Sequence, residues 1–440
     1  MPYLQQIAFL TTLFVAIALL VRRINFIRKG IKLGRAETIN DHRPQRWKNM
    51  ILFAFGQRKM FKRPIPAFLH LFIYVGFLVI NLEVLEFVID GLAGTHRIFA
   101  PYLGGLYNVL MNLFEFLAMA VFVSCIFFLL RRNVLRLGRF HKAEMTSWPK
   151  LDANLILIIE ILLMVAILSM NATDRILQNR GIHHYLNTGN LFFSQWLIPF
   201  FSGQRDSVLI VLERSFWWFH IVGILGFAVY VTYSKHLHIF MAFPNTFYGS
   251  LERPGKLTNM DTVTNEVNMM LGGQSSESSA SPTEDPGRFG ARDITDLSWK
   301  HLMDAYTCTE CGRCTSECPA NITGKKLSPR KIMMDTRDRM EELSRNGDSG
   351  SKENYLLGGY ISKEEVNACT SCNACVEACP VLINPLSIIV ELRRYISMEE
   401  NGCPAEWNAM FQNIETSFAP WKFAPSDRFK WADNLNTTNN

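Results

Sequence analysis

The sequence predicts an all-α protein: a five-helix transmembrane bundle joined to a soluble helical domain that carries the cysteines. Three observations predict it. Five long apolar runs fill the first 240 residues, the remainder turns polar, and eight of the ten cysteines fall in two copies of one frame. Hydrophobic residues make up 49% of the 440-residue chain and charged residues 19%, averages that conceal the split. The net charge of +6 calls for no nucleic acid, because the basic residues crowd beside the apolar runs.

The runs lie at 4–21, 66–89, 106–130, 152–171 and 206–240, and a bilayer span takes about 20 mostly apolar residues. The first lacks a basic start and runs into Arg22 and Arg23 without a small-residue cleavage site, so it reads as a retained helix rather than a signal peptide. The fifth is predicted to overrun the bilayer and stop at Pro244, since proline lacks the amide a helix interior needs. Loops 22–65 and 131–151 are dense in Lys and Arg, loop 90–105 holds only Arg97, and loop 172–205 is sparse, with an interfacial FFSQWLIPFF stretch. Basic loops stay on the cytoplasmic side. That places the N-terminus outside and, after five crossings, the C-terminal part in the cytoplasm.

Boundaries follow composition. Residues 1–243 form the membrane domain and 244–292 a connection, of which 244–271 shows no strong period. The Ser-, Gly- and Pro-rich 272–290 reads as a flexible tether. Residues 293–400 form the cysteine domain, with helical patterns around both frames. The tail 401–440, with Trp407, Phe411, Trp421, Phe423 and Trp431, is expected to be extended and to pack on the domain or on a partner.

Both frames, CTECGRCTSECP at 308–319 and CTSCNACVEACP at 369–380, follow C-x2-C-x2-C-x3-C-P. In a reducing cytoplasm such clusters mean metal rather than disulfides. Three cysteines at successive x2 gaps wrap one [4Fe–4S] cube, and the fourth, before proline, ligates the other cube. The expected sets are Cys308, Cys311, Cys314 and Cys379 for one cluster, and Cys369, Cys372, Cys375 and Cys318 for the other. Zinc sites use paired C-x2-C modules instead. A non-redox membrane scaffold with zinc-binding cysteine modules is the alternative, and it requires a colourless protein. Cys125, inside an apolar run, reads as a buried small hydrophobe, and Cys403 as structural.

The run WKHLMDAYTCTECGRCTSECPANITGKKLSPRKIMMDTRD, 299–338, resembles the iron–sulfur segment of the heterodisulfide-reductase-related family. That family includes the C-type subunit and membrane electron-transfer-flavoprotein dehydrogenases. The resemblance covers roughly residues 295–395 and implies an α-helical ferredoxin domain with two [4Fe–4S] clusters. Many relatives continue into cysteine-rich CCG domains. Here only Cys403 follows the second frame, so the resemblance implies a separate CCG-domain subunit as partner, with an electron-transfer flavoprotein or other cytoplasmic dehydrogenase as donor.

Ionisable residues inside spans are costly and point to function. His70 lies early in the second run; His220, His236 and His238 lie in the fifth. As one helix, the fifth run puts His220 and His238 on a shared face about 27 Å apart, with His236 turned away. His70 and His238 come to equal depth near the cytoplasmic surface, where two imidazoles facing across helices can hold a b-type haem, with His236 as substitute ligand. This layout resembles the five-helix cytochrome b subunit of respiratory nitrate reductase, which holds two haems. Ile80 and Asn81 stand where its second ligand on the second helix is expected, which leaves His220 to hydrogen-bond a quinone. The loop pair His183 and His184 is a remote source of a ligand. Glu83 and Glu86 read as interfacial, Glu115 and Glu160 as deeper groups able to carry protons.

Together these features point to a membrane-anchored oxidoreductase subunit in a respiratory chain of the bacterial inner membrane. It would pass electrons between a cytoplasmic donor and membrane quinone. The reverse direction, from quinol toward a heterodisulfide-reductase-type partner, is also open. A transporter is disfavoured by the absence of Gly/Pro-interrupted span pairs.

Overall fold

The computed structural model describes residues 3–272, 288–346 and 354–432. The chain is 71% helical, with no strand among the described residues. Most of the tether expected at 272–290 lies outside them. Five helices are long and apolar enough to cross a membrane: α1 (Leu4–Ile31), α2 (Pro64–Ala93), α3 (Gly105–Leu129), α4 (Trp148–Asn179) and α5 (Asp206–Val231). They carry large exposed apolar side chains such as Phe14, Phe68, Val109 and Val211, the signature of a lipid-facing surface.

Helices α2 to α5 pack in chain order, and α1 closes the ring between α2 and α5. Small residues set the close approaches. A Cβ on Gly91 would meet Phe9 at 2.7 Å, on Gly76 Val121 at 2.6 Å, and on Gly223 Leu163 at 2.6 Å. Such positions let helix backbones approach in lipid, where packing rather than water exclusion drives association.

The fifth helix departs from expectation. It ends at Val231, a short 3-10 turn follows at Lys235–Leu237, and a new helix α6 (His238–Phe247) begins, with Pro244 inside it rather than ending it. The Ser234 side chain accepts from the His236 amide and caps the turn. The eighteen-residue periodicity between His220 and His238 therefore does not apply, and His236 and His238 become neighbours.

Two other expectations are corrected. Residues 261–270 form a helix within the connection. The tail forms a helix at Ala405–Ser417 instead of an extended segment, and its aromatics Trp407, Phe411, Trp421, Phe423 and Trp431 are exposed rather than packed on the domain.

The cysteine-bearing part is built on α7 (Trp299–Thr307), α8 (Pro329–Asn346) and α9 (Pro385–Met398). Their apolar faces enclose one core containing Ile294, Leu302, Ile332, Met340, Ile388 and Leu392, which Ile27 of α1 and Leu237 also enter. The end of α1 thus continues into this core. Gly30 sits against Ser344 and Tyr306, and Arg23 pairs with Glu341 at 2.5 Å.

Candidate metal centre

The two cysteine loops share one backbone. Glu310 (φ 54) and Ser371 (φ 53) precede the second cysteine, and Gly312 (φ 71) and Asn373 (φ 61) follow it. These alternating left-handed residues turn successive amides inward, a concavity that favours negative charge. The Ser371 amide donates to Cys369 Sγ at 3.4 Å, and the Ile383 amide to Cys379 Sγ at 3.3 Å. Short helical turns at Arg313–Ser316 and Ala374–Ala378 then present the third cysteine. Cys318 and Cys379 are extended, and each is followed by proline.

The fourth cysteine of each frame stands with the other frame's triplet. Cys318, Cys369, Cys372 and Cys375 line a single concavity, bordered by Leu327, Leu386 and Ile389. Cys379 lies within electrostatic range of Cys308 and Cys311, and Cys314 within range of Cys308, Cys311 and Cys379. Among the described residues, no three His, Cys, Asp or Glu side chains converge on a single-ion site. Four thiols around an open volume suit a multi-atom cluster. Burial pushes the Cys308, Cys375 and Cys379 thiols up to about 12. A metal cluster overturns that preference, because coordination deprotonates a thiol outright.

The two sets differ in surroundings. Cys372 of the second set is exposed, while Cys308 of the first is buried. Arg139 and Arg313 lie within electrostatic range of Cys311, and Arg337 within range of Cys308, so cations surround the first set. The bundle grips both loops. Arg63 pairs with Glu317, and Lys62 and Lys59 pair with Glu377. Fully buried Arg330 donates to Glu144 at 2.7 Å and to the Arg139 carbonyl at 2.7 Å.

Beside the first set, the structure brings His70 and His238 together. Their ring centroids are 6.4 Å apart and tilted by 41°. His70 Nδ1 donates to Gln57 Oε1 at 3.1 Å, and His238 Nδ1 donates to the Lys235 carbonyl at 3.1 Å. Both Nε2 atoms are thereby left as the basic nitrogens, the arrangement that outer partners impose on metal-binding imidazoles. This donor pair fits a haem iron. His236 lies 5.3 Å from His238, edge to face. His220 is elsewhere: it is buried, its Nδ1 bonds the Leu163 carbonyl at 2.9 Å, and its facing ring is Phe87 at 5.8 Å. His184 packs on His96 at the end of the bundle away from the cysteines, not on His220.

Sequence reasoning missed the roles of four residues that build this region. Gln57, in a left-handed turn, orients His70. Lys235 donates to the Pro149 carbonyl and pairs with Glu310 of the first cysteine loop, and Arg337 pairs with Glu310 from the other side at 2.7 Å. The signal was faint. A carboxylate inside a cysteine frame, with Ser371 as its counterpart, is out of keeping beside thiolates.

Comparison with known proteins agrees with the site. Residues 307–383 match the family described as 4Fe-4S dicluster domain. The probable iron–sulfur-binding oxidoreductase FadF of Bacillus subtilis is 28% identical over 97% of this chain and 60% of its own length. The EtfAB:quinone oxidoreductase of Syntrophomonas wolfei is 26% identical over 90% of this chain and 55% of its own length. One subunit of the dihydromethanophenazine:CoB–CoM heterodisulfide reductase of Methanosarcina mazei is 27% identical over 32% of this chain and 35% of its own length. The chain thus spans somewhat over half the length of the first two. No solved structure matches. The chain is thus all-α with five membrane-type helices, its cysteine segment matches a 4Fe-4S dicluster domain, and the relatives it resembles along most of its length are named as oxidoreductases.

Proposed function

We propose that this chain is the membrane-anchored electron-transfer subunit of a quinone-linked oxidoreductase. Cys308, Cys311, Cys314 and Cys379 would hold one [4Fe–4S] cluster, and Cys318, Cys369, Cys372 and Cys375 the other. His70 and His238 would hold one b-type haem through Nε2. Bound there, these groups supply one-electron transfer between a donor and membrane quinone.

The residues give the route a direction in space. Exposed Cys372 marks the donor-facing set. Arg139, Arg313 and Arg337 surround the inner set with positive charge, which stabilises added electrons in a low-dielectric site. The dense basic loops lie at the same end of the bundle as the cysteines, which supports a cytoplasmic location for this end. The relative named EtfAB:quinone oxidoreductase supports an electron-transfer flavoprotein as donor. The reverse flow, from quinol, uses the same residues.

The observation that carries the reading is one connection: Glu310, inside the first cysteine loop, grips Lys235, whose carbonyl fixes His238. The test is a reduced-minus-oxidised spectrum of the purified complex with its co-purifying chains identified. A b-type band that disappears in both His70→Leu and His238→Leu, with iron–sulfur signals retained, is expected. A band that survives both substitutions contradicts the histidine assignment.

A further inference from the structure

The end of the bundle away from the cysteines holds a set of buried ionisable residues that the electron route does not use. Glu83 and Glu86, expected at the membrane surface, are each only 3% exposed. Most carboxylates there have donors suited to an anion. Glu115 accepts from the Phe193 and Ser194 amides, the Ser194 hydroxyl and Asn171. Asp90 accepts from Thr95 and from the Arg97 and Ile98 amides. Glu86 accepts from Tyr107 at 2.7 Å and from the Phe99 amide. Glu213 is paired with Arg214.

Glu83 is different. Its Oε1 has no hydrogen-bond partner among the described residues. The charged groups within reach are Arg97 from the loop, Glu86 on its own helix and Glu115 on α3. Arg97 is already committed: its guanidinium donates to Asp174 at 2.6 Å, to Asn171 at 2.7 Å and to Tyr107 at 3.2 Å. An ionised carboxylate buried with no cation of its own, beside two others, is far costlier than the neutral acid.

One turn beyond Glu83, Phe87 forms a wall of a small cavity of about 10 Å³, room for about one water, lined also by Asp90, His96, Arg97, Glu213 and Trp217. The His96 side chain is only 7% exposed. Its Nδ1 lacks a partner, as does Asp174 Oδ1. Its Nε2 stands 3.7 Å from Asp174 Oδ1 and 3.8 Å from Glu213 Oε1. These spacings are too long for direct bonds and suit bridging by water, which buried polar cavities hold when two to four partners surround it.

We infer that Glu83 is a proton-holding site within the far half of the bundle, and that the His96 cavity is its port to the membrane face opposite the cysteine domain. The ligand is a proton carried by water, and the site can be observed without any electron carrier.

The test is infrared spectroscopy of the full-length protein in nanodiscs during exchange from H2O to D2O. The expected result is a protonated-carboxyl band that shifts with deuterium, is missing in Glu83→Gln and is retained in a Glu160→Gln control. Glu83→Asp, which keeps the acid, moves the band without removing it and covers the case in which the glutamine variant fails to fold. His96→Phe, which keeps a ring against Tyr185, should slow exchange of that band at least tenfold. Identical wild-type and Glu83→Gln spectra would overturn the proton site. Unchanged exchange in His96→Phe would overturn the port.

Discussion

Replacing Glu310 with glutamine should loosen the joint between the cysteine domain and the bundle. Glu310 is 4% exposed and lies between two cations, Lys235 and Arg337. The substitution keeps the shape and one acceptor but removes the charge. Lys235 is then left with Asp152 at 3.9 Å as its nearest carboxylate. Removing one partner of a buried pair costs roughly 3–5 kcal/mol; the retained amide oxygen puts the expected loss at the low end, about 3 kcal/mol. At tenfold per 1.4 kcal/mol, that is a rise of roughly a hundredfold in the population of locally opened states. Amide hydrogen exchange reads it directly: protection should fall by that factor across 232–238 and 308–314 and stay unchanged in α2 to α4. A double-mutant cycle with Lys235→Met should be non-additive by at least ~1 kcal/mol, since contacting charges couple. Additive effects, or unchanged protection at His238, would refute the linkage between cysteine loop and histidine.

Further outcomes follow from the same geometry. Gly312→Ala should destabilise the first cysteine loop by about 1–3 kcal/mol, because its φ is +71° and a Cβ there meets Arg330 Nη1 at 2.5 Å; loss of iron on mild chelation checks it. Arg393 donates to the Val366, Asn367 and Cys369 carbonyls and to Ser371, so Arg393→Met should loosen the second loop alone, seen as selective loss of one of two reduced-cluster signals. His301 is held down to about 3 by burial, with Lys300 and Arg35 adding repulsion, and its Nδ1 accepts the Ser298 amide at the start of α7. The folded state keeps it neutral while the unfolded chain protonates near 6.5. Its contribution is therefore full above pH 6.5 and is lost as pH falls toward 3. His301→Gln, which preserves an acceptor, should flatten that decline in chemical-denaturation curves.

The helices were legible because their signal is local. Apolar runs of span length and a repeated cysteine spacing need no tertiary knowledge. The crosswise company of Cys318 and Cys379 was legible because a proline after an extended cysteine turns the chain away from its own loop. The break after Val231 was not. It depends on Ser234 capping a turn in the short polar stretch 232–236, and helical periodicity alone carries no mark of it. The burial of Glu83 and Glu86 was also hidden: loop 94–104 folds back over the bundle end, its Phe99 amide reaching Glu86 and its Arg97 standing near Glu83, where a simple depth count places both at the membrane surface. Lys235 and Glu310 are 75 residues apart, so neither announces the other.

The central claim is that each cysteine frame lends its fourth thiolate to the other frame's cluster. The measurement that tests it most directly is iron and acid-labile sulfide content, with electron paramagnetic resonance, on anaerobically purified wild type and Cys318→Ala. The account predicts about eight iron and eight sulfide per wild-type chain. In the variant, the cluster of the second frame, 369–375, is damaged while that of the first frame, which contains the mutated residue, keeps its signal. Damage confined to the first frame's cluster, or zinc in place of iron in the wild type, would contradict it.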